Sequence, residues 1–526
     1  MNFIARILVF FLLIPFSALA DTPLKKETDQ LVSDIDSYTE ISKKSWNVPA
    51  VAVVIVHKGK VYTILKGVKS ISDNSPINEH TRFQILSLTK GMTATLMLKL
   101  VEQGRISLND PIVKYIPDFK LSNPKVTQTL TIGNVLAQSV GLKAFAGDSF
   151  LKLGFSEKEL QVALAQLPIK KQTGKDYTYS NHFHGLMRRI VEKVTQKSFN
   201  MAAKELLFDP LQMSETSYAA QHGKGGLLSG CSGAQKLPNE FAKPHTIRDG
   251  VYELPNIEQA FVYPSSMGVS SSPENIGRWL QFLMYNHPSF LKQEFFDLLR
   301  TSQNHYIVKS KNGYVFPKTR VSTVDYCYGV MMTPYGKEHK VKMYTHNGAW
   351  IGGTARISFV PELDLGIAVI ANLGSNQDCM LPDALTFKCI DLALGISDTD
   401  WNEVILKHTV ESNQKFRQYF EQQKILTPYP HEDLTPYVGE YKNGLYGDMS
   451  LKIKENALWM GYRKKWVKLT HLNGNRFVFD SYKLSDGYSS SYYAFVDIGY
   501  LGDKNKHALS CNLMYEGDDS VFVKTT

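Results

Sequence analysis

The chain has 526 residues, 43% of them hydrophobic and 21% charged, with 36 Gly and 22 Pro. That balance excludes a disordered chain, a collagen-like repeat and polar low complexity, and the length suffices for several domains around a sizeable core. Lys plus Arg number 59 against 50 Asp plus Glu, a net +9 with no long basic run, so nothing points to a nucleic-acid partner.

Arg6 precedes the apolar stretch Ile7 to Phe16, and small residues at Ala18 and Ala20 precede Asp21. This is the pattern of a secretory signal over residues 1–20, too short at about 13 apolar residues for the roughly 20 a membrane span requires. The expectation is cleavage, a periplasmic or secreted protein, and no stable membrane span afterwards. Residues 49–56 and 61–65 read as two strands around the turn His57–Lys60. Residues 88–103 have helical spacing, with Met92, Leu96, Leu100 and Val101 on one side and Gly104 at the end. Further helices are expected at 131–138, 157–167, 182–196, 273–285, 293–301 and 379–394. A strand running from about Tyr344 to 360 and a hairpin over Arg356–Ala371, turning at Pro361–Asp364, complete the pattern.

Strands at both ends with helices between them predict one sheet assembled from N- and C-terminal segments and covered by helices, an α/β (α+β) architecture over residues 21–400. Residues 401–430 read as a polar helical linker that breaks at Thr427–Pro430. Residues 431–526 alternate in the manner of a small all-β barrel or sandwich. The five cysteines (Cys231, Cys327, Cys379, Cys389, Cys511) have no metal-site spacing, and Cys379 with Cys389 is the candidate for a bridge.

No phosphate-binding loop, dinucleotide fingerprint or metal helix is present. What carries chemistry is Ser87-Leu-Thr-Lys90 at the start of a helix. Spacing i,i+3 puts the hydroxyl and the amine on one face, and a serine becomes a nucleophile when a neighbouring base takes its proton. Ser-x-x-Lys occurs five times, beginning at Ser87, Ser122, Ser149, Ser289 and Ser412, but only the first opens a long helix soon after a strand pair. A second element, Tyr179-Ser180-Asn181, sits in a loop before a helix. Tyr179 there is a candidate proton acceptor for Ser87, its phenolate favoured by Lys90; the alternative is a helix cap by Ser180 or Asn181 beside a packing tyrosine. The third is His346-Asn347-Gly348-Ala349. On a strand His346 and Gly348 share a face, Gly348 admits a close substrate backbone, and the Ala349 N–H can join that of Ser87 as an oxyanion hole; the alternative is an exposed turn.

Ser-x-x-Lys, then Tyr-x-Asn, then His-x-Gly in this order resembles the serine β-lactamase and penicillin-binding-protein superfamily. The similarity is to its class C branch, with related D-aminopeptidases, D-Ala-D-Ala carboxypeptidases and esterases. Residues 102–117, 130–142 and Met267–Ser271 add to the likeness, which covers about 45–395. The resemblance implies a sheet packed against an all-helical region with the active site between them. It assigns Ser87 as acylated nucleophile, Lys90 and Tyr179 as proton-transfer pair, and Asn181 as donor to a substrate amide. It places His346 along the cleft, assigns the N–H groups of Ser87 and Ala349 to the oxyanion, and implies no cofactor or metal. The tail resembles a lipocalin-like domain, and a homo-oligomer is compatible with it.

Two departures from the family pattern stand out. His346 stands where class C β-lactamases carry lysine, which favours an esterase or D-specific peptidase acting on a small molecule or short peptide over an efficient β-lactamase. Gln138-Ser-Val-Gly-Leu142 replaces the usual His-Thr-Ser-Gly-Leu, which reads as a local packing change. An acyl-accepting protein with little turnover would use the same residues. If neutral imidazole at position 346 passes a proton, kcat/KM is expected to rise through an apparent pKa near 6–7.

Overall fold

The computed structural model describes residues 26–218, 240–248, 251–254, 263–307, 317, 320–321, 323–337, 340–374, 379–425, 433–473, 475–480, 493–500, 507–511 and 521–525. The signal segment, Cys231 and the Thr427–Pro430 break lie outside them. Among the described residues no helix is long and apolar enough to cross a membrane.

The run Ala50–His57 is apolar at nearly every position because both faces of its strand are covered. Alternation sorts its side chains: Ala52, Val54 and Val56 face one core, while Val51, Val53 and Ile55 face another. The strand lies inside an eight-stranded antiparallel sheet. In spatial order the strands are Lys60–Gly67, Ala50–His57, Leu365–Ala371, Gly353–Val360, Val341–Trp350, Met331–Tyr335, Thr323–Tyr326 and Asn304–Ile307. Helices Thr28–Ser45 and Leu381–Ala393 cover one face, the former through Leu31 and Ile35. Helix Pro273–Tyr285 and the helical region between residues 86 and 213 cover the other. The expected α+β architecture is the one observed.

Three local readings are corrected. The stretch from Tyr344 to residue 360 is two antiparallel strands, Val341–Trp350 and Gly353–Val360, with Trp350 opposite Gly353 and His346 opposite Ile357. The chain reverses at Ile351-Gly352, where Gly352 takes φ +88, a left-handed value open to glycine at little cost. Second, helix Thr89–Glu102 is not one-sided: every residue from Thr89 to Leu98 is buried. It is the central helix of its core, and its inward hydroxyls find acceptors, Thr93 on the Ser265 carbonyl at 2.7 Å and Thr95 on that of Gly91 at 2.9 Å. The Cys379–Cys389 bridge is also absent. Cys389 is a free, fully buried thiol, and burial pushes it up to about 12, which keeps it protonated and unreactive.

Beyond the sheet, helix Trp401–Ile425 docks through Trp401 and Ile405. The tail forms a nine-stranded, all-antiparallel, nearly closed barrel-like sheet. Its interior is filled by inward residues such as Tyr441, Met449, Leu451, Met460, Phe477, Val496, Leu509 and Phe522.

Candidate active site

Ser87 lies in a 3-10 turn, Leu86–Leu88, that runs directly into helix Thr89–Glu102. Leu86 has φ +54, a left-handed conformation that costs a residue with a Cβ roughly 1–2 kcal/mol. The surroundings hold it there. The short strand Phe83–Gln84 pairs with Val269–Ser271, the Ile85 N–H donates to the Val269 carbonyl at 3.0 Å, and the Val269 N–H donates to Thr89 Oγ1 at 3.1 Å. The Met267–Ser271 segment therefore anchors the serine turn.

From the other side the strand Val341–Trp350 closes on the same turn. A methyl group at Gly348 would lie 2.9 Å from the Ile85 carbonyl oxygen and Leu86 Cβ and 3.0 Å from the Ser87 nitrogen, so only glycine fits. Ala349 follows at an exposed position. His346, two residues earlier on the same face, is 2% exposed, with its ring 6.4 Å from that of Tyr179.

Lys90 is fully buried, and its Nζ reaches Ser87 Oγ at 3.1 Å, Asn181 Oδ1 at 2.8 Å and the Ser266 carbonyl at 2.9 Å. The Tyr179 hydroxyl donates to Ser87 Oγ at 2.9 Å, and Lys90 Nζ stands 4.7 Å from the centre of its ring. All seven residues singled out in the sequence thus come to one place, where the Ser87 turn meets the sheet and the Tyr179 loop. Both readings of Tyr-Ser-Asn hold: Ser180 caps helix Asn181–Gly185 through the Phe183 N–H, while Tyr179 and Asn181 face Ser87 and Lys90.

Burial lowers Lys90 to about 7, against the opposing pull of Asp148. Near neutrality much of it is therefore a free amine, with a lone pair for the Ser87 proton and N–H bonds for Asn181 and Ser266. Burial pushes the Tyr179 phenol up, the Ser87 hydrogen bond working against that and Asp148 adding to it. Tyr179 is therefore held as a phenol that donates, and the amine is the group poised to accept a proton. Burial lowers His346 to about 3, with the Lys90 charge adding to it, and its Nδ1 donates to the Asn347 carbonyl at 2.7 Å. The acid limb expected from His346 near 6–7 therefore moves to Lys90.

Three residues that the sequence did not assign to the site complete it. Gln138 accepts the Thr178 N–H on its backbone carbonyl at 2.7 Å and the Ser180 N–H on its side-chain carbonyl at 2.6 Å, which clamps the backbone on both sides of Tyr179. The departure at Gln138 thus acts on the cleft directly. Asp148, 5% exposed, accepts from Asn181 Nδ2 at 2.8 Å. Ser266 contributes only its carbonyl, which no side-chain motif reveals. Among the described residues, His80, Glu215 and Glu274 could together hold a cation, but none of the seven site residues belongs to that group.

Three histidines around the site are buried and neutral. Burial lowers His182 and His346 to about 3 and His184 well below its usual value. The unfolded chain takes up these protons below roughly pH 6.5 while the fold refuses them, so stability falls with pH by about 1.4 kcal/mol per unit for each. We expect the thermal midpoint to drop steeply from pH 6.5 to 4, and His182→Phe to flatten that slope by about one proton. A midpoint independent of pH over this range would contradict the neutral assignment.

A family model described as Beta-lactamase matches residues 35–385. Protein flp of Staphylococcus aureus (strain MRSA252) is 25% identical over 373 residues, 69% of this chain and 67% of that protein. The unguisins hydrolase of Aspergillus violaceofuscus is 24% identical over 404 residues, 73% of this chain and 68% of its own. The octameric penicillin-binding protein homologue from Pyrococcus abyssi shares the fold at TM-score 0.57 and 19% identity, over 94% of this chain and 100% of that one. A class C β-lactamase superposes at 0.53 and 17% identity over 69% of this chain and 98% of its own. SurE, solved with D-Leu, superposes at 0.53 and 17% identity over 90% and 95%. With the family model spanning most of its length, the chain belongs to the β-lactamase family of serine hydrolases.

Proposed function

We propose that this protein is a periplasmic or secreted serine hydrolase that cleaves amide or ester bonds through an acyl-enzyme on Ser87. The observation that carries the reading is the placement of Ser87 Oγ within hydrogen-bond distance of two groups, the buried Lys90 amine near neutrality on one side and the Tyr179 phenol that donates to it on the other. Lys90, as free amine, takes the Ser87 proton while Oγ attacks the carbonyl carbon. The N–H groups of Ser87 and Ala349 bind the developing oxyanion. Tyr179 hands a proton to the leaving group and recovers it from Lys90; water then attacks the ester, the same groups acting in reverse. Asn181 has one N–H on Asp148 and a second to offer a substrate amide. No step calls for a cofactor.

The substrate class follows from His346. A buried neutral imidazole offers no permanent cation to a substrate carboxylate, so we expect D-aminoacyl amides or esters, short D-amino-acid peptides and simple carboxylic esters to be preferred over cephalosporins. The neighbour solved with D-Leu supports the D-amino-acid side of this reading, and the octameric neighbour supports a homo-oligomer. The test is a panel of D-aminoacyl amides, D-Ala-D-Ala peptides, a cephalosporin and simple esters, each with Ser87→Ala as the blank. The reading predicts Ser87-dependent turnover with the cephalosporin at least about tenfold slower. Equal hydrolysis by the Ser87→Ala protein would refute it. A persistent adduct without product would instead identify an acyl-accepting protein.

A further inference from the structure

Two turns of the C-terminal barrel touch the segment that runs from residue 148 to 159. Tyr446, between strands Gly439–Asn443 and Gly447–Lys454, lays its ring 5.1 Å from that of Phe150, and Phe150 packs 4.9 Å from Phe155. Arg463, in the turn between Ala457–Tyr462 and Lys465–Lys468, donates to both carboxylate oxygens of Glu159 at 2.8 Å and to the Gly154 carbonyl at 3.2 Å. Its guanidinium stands 4.3 Å over the Phe155 ring. Arg463 and Lys464 have φ of +47 and +69, the left-handed pair of a two-residue hairpin that Asn-Gly favours. Partial burial opposes the charge on Glu159, but hydrogen bonds from Ser156 and Arg463 hold it at about 2, so it is ionised throughout the assay range. Glu159 also closes a capping box with Ser156 at the start of helix Glu157–Leu164.

The segment so gripped begins with Asp148. A carboxylate only accepts, so Asp148 obliges Asn181 to turn its NH2 toward it, and the Asn181 carbonyl oxygen then faces Lys90 Nζ at 2.8 Å. The barrel turns thus contact Phe150, Phe155 and Glu159, the helix Asp148–Lys152 carries Phe150 and Asp148 on one short stretch of backbone, and Asp148 contacts Asn181, which contacts Lys90.

We propose that the C-terminal barrel is a positioning element for the active site: Tyr446 and Arg463 hold the Asp148 segment in place, and Asp148 through Asn181 fixes the Lys90 amine. This rests on the reading of Lys90 as the base. Arg463 and Tyr446 touch no reacting atom; they act through Asp148. Lys90 is faced by Ser87 and the Ser266 carbonyl, by Tyr179, Asn181 and His184 from the loop and helix that follow residue 178, by His346 from the sheet, and by Asp148. Asp148 favours the ammonium form, so loosening it makes Lys90 lose its proton more easily and moves the acid limb of kcat/KM to lower pH.

The experiment compares Arg463→Ala, Glu159→Gln, Asp148→Asn and the double variant Arg463→Ala/Asp148→Asn in the full chain. It reads kcat, KM and the pH profile of ester hydrolysis, the thermal midpoint, and amide hydrogen exchange in residues 147–155 and 179–185. Glu159→Gln keeps the capping box and removes only the charge that Arg463 grips. The proposal predicts that Arg463→Ala and Glu159→Gln lower kcat about three- to tenfold with KM little changed. Both should shift the limb in the same direction as Asp148→Asn and speed exchange in both segments, and the double variant should go no further than Asp148→Asn alone. Wild-type limbs and exchange in Arg463→Ala and Glu159→Gln, or effects that add to those of Asp148→Asn, would overturn it. If hydrolysis proves independent of Ser87, the functional reading fails, and exchange alone then decides the brace: faster exchange supports it, wild-type exchange overturns it.

Discussion

Lys90→Met should lower kcat/KM toward an acyl ester by about a thousandfold and erase the limb near pH 7 in the profile. Methionine keeps the apolar stem of lysine, so the packing of helix Thr89–Glu102 is retained while the proton acceptor is lost. Ser87 Oγ then keeps only the Tyr179 phenol, which burial holds protonated. The sign of the wild-type profile follows from the depressed amine. Below about pH 7 Lys90 is an ammonium that cannot take the serine proton, and above it the free base accumulates. Lys90→Arg should fail as badly, since a guanidinium stays protonated at every accessible pH. Steady-state kinetics from about pH 5 to 10 check this. A Lys90→Met protein with wild-type kcat/KM would remove the amine from the mechanism.

The second large effect is expected at Gly348. A single methyl there meets backbone on the serine turn at 2.9–3.0 Å, and backbone cannot swing aside as a flexible side chain would. Either the strand Val341–Trp350 withdraws or the Leu86–Ser87 turn moves, at about 1–3 kcal/mol of stability. A displacement near 1 Å at the nucleophile costs about a hundredfold in rate. Gly348→Ala is therefore expected to retain the fold with a lowered thermal midpoint and to lose about 99% of kcat. Wild-type kcat in this variant would mean that the strand and the serine turn are not held together as described.

The site was more legible in the sequence than the scaffold that holds it. Ser87, Lys90, Tyr179, Asn181 and His346 announce themselves as reactive residue types in fixed short spacings, and the structure brings them together. The elements that support them leave weaker traces. Helix Thr28–Ser45 buries Leu31, Ile35, Thr39 and Ser42, a helical stripe whose second half is polar, so its pattern fades after two residues. Strands Thr323–Tyr326 and Met331–Tyr335 pair with each other across the turn at Gly329 and alternate in burial, but at four and five residues they are too short for that alternation to stand out in the sequence. The reversal at Ile351-Gly352 was hidden because apolar residues flank it on both sides.

Protonation states were the least legible. His346 read as a titrating group near its ordinary value, and Tyr179 as a base made acidic by a neighbouring lysine. Burial decides both the other way, and burial is a property of the assembled site. Asp148 shows the same limit: nothing marks it in Gly147-Asp148-Ser149, and its importance comes from the loop that brings it to Asn181.

The most direct measurement is the pH dependence of Ser87 acylation by an active ester or penicillin, followed by intact mass and by mapping the modified peptide. A single adduct is expected, on the peptide containing Ser87. Its rate of formation should rise through an apparent pKa near 7 in the native protein and be nearly abolished in Lys90→Met. An adduct on a different residue, or acylation of Ser87 at the same rate with methionine at position 90, would contradict this expectation.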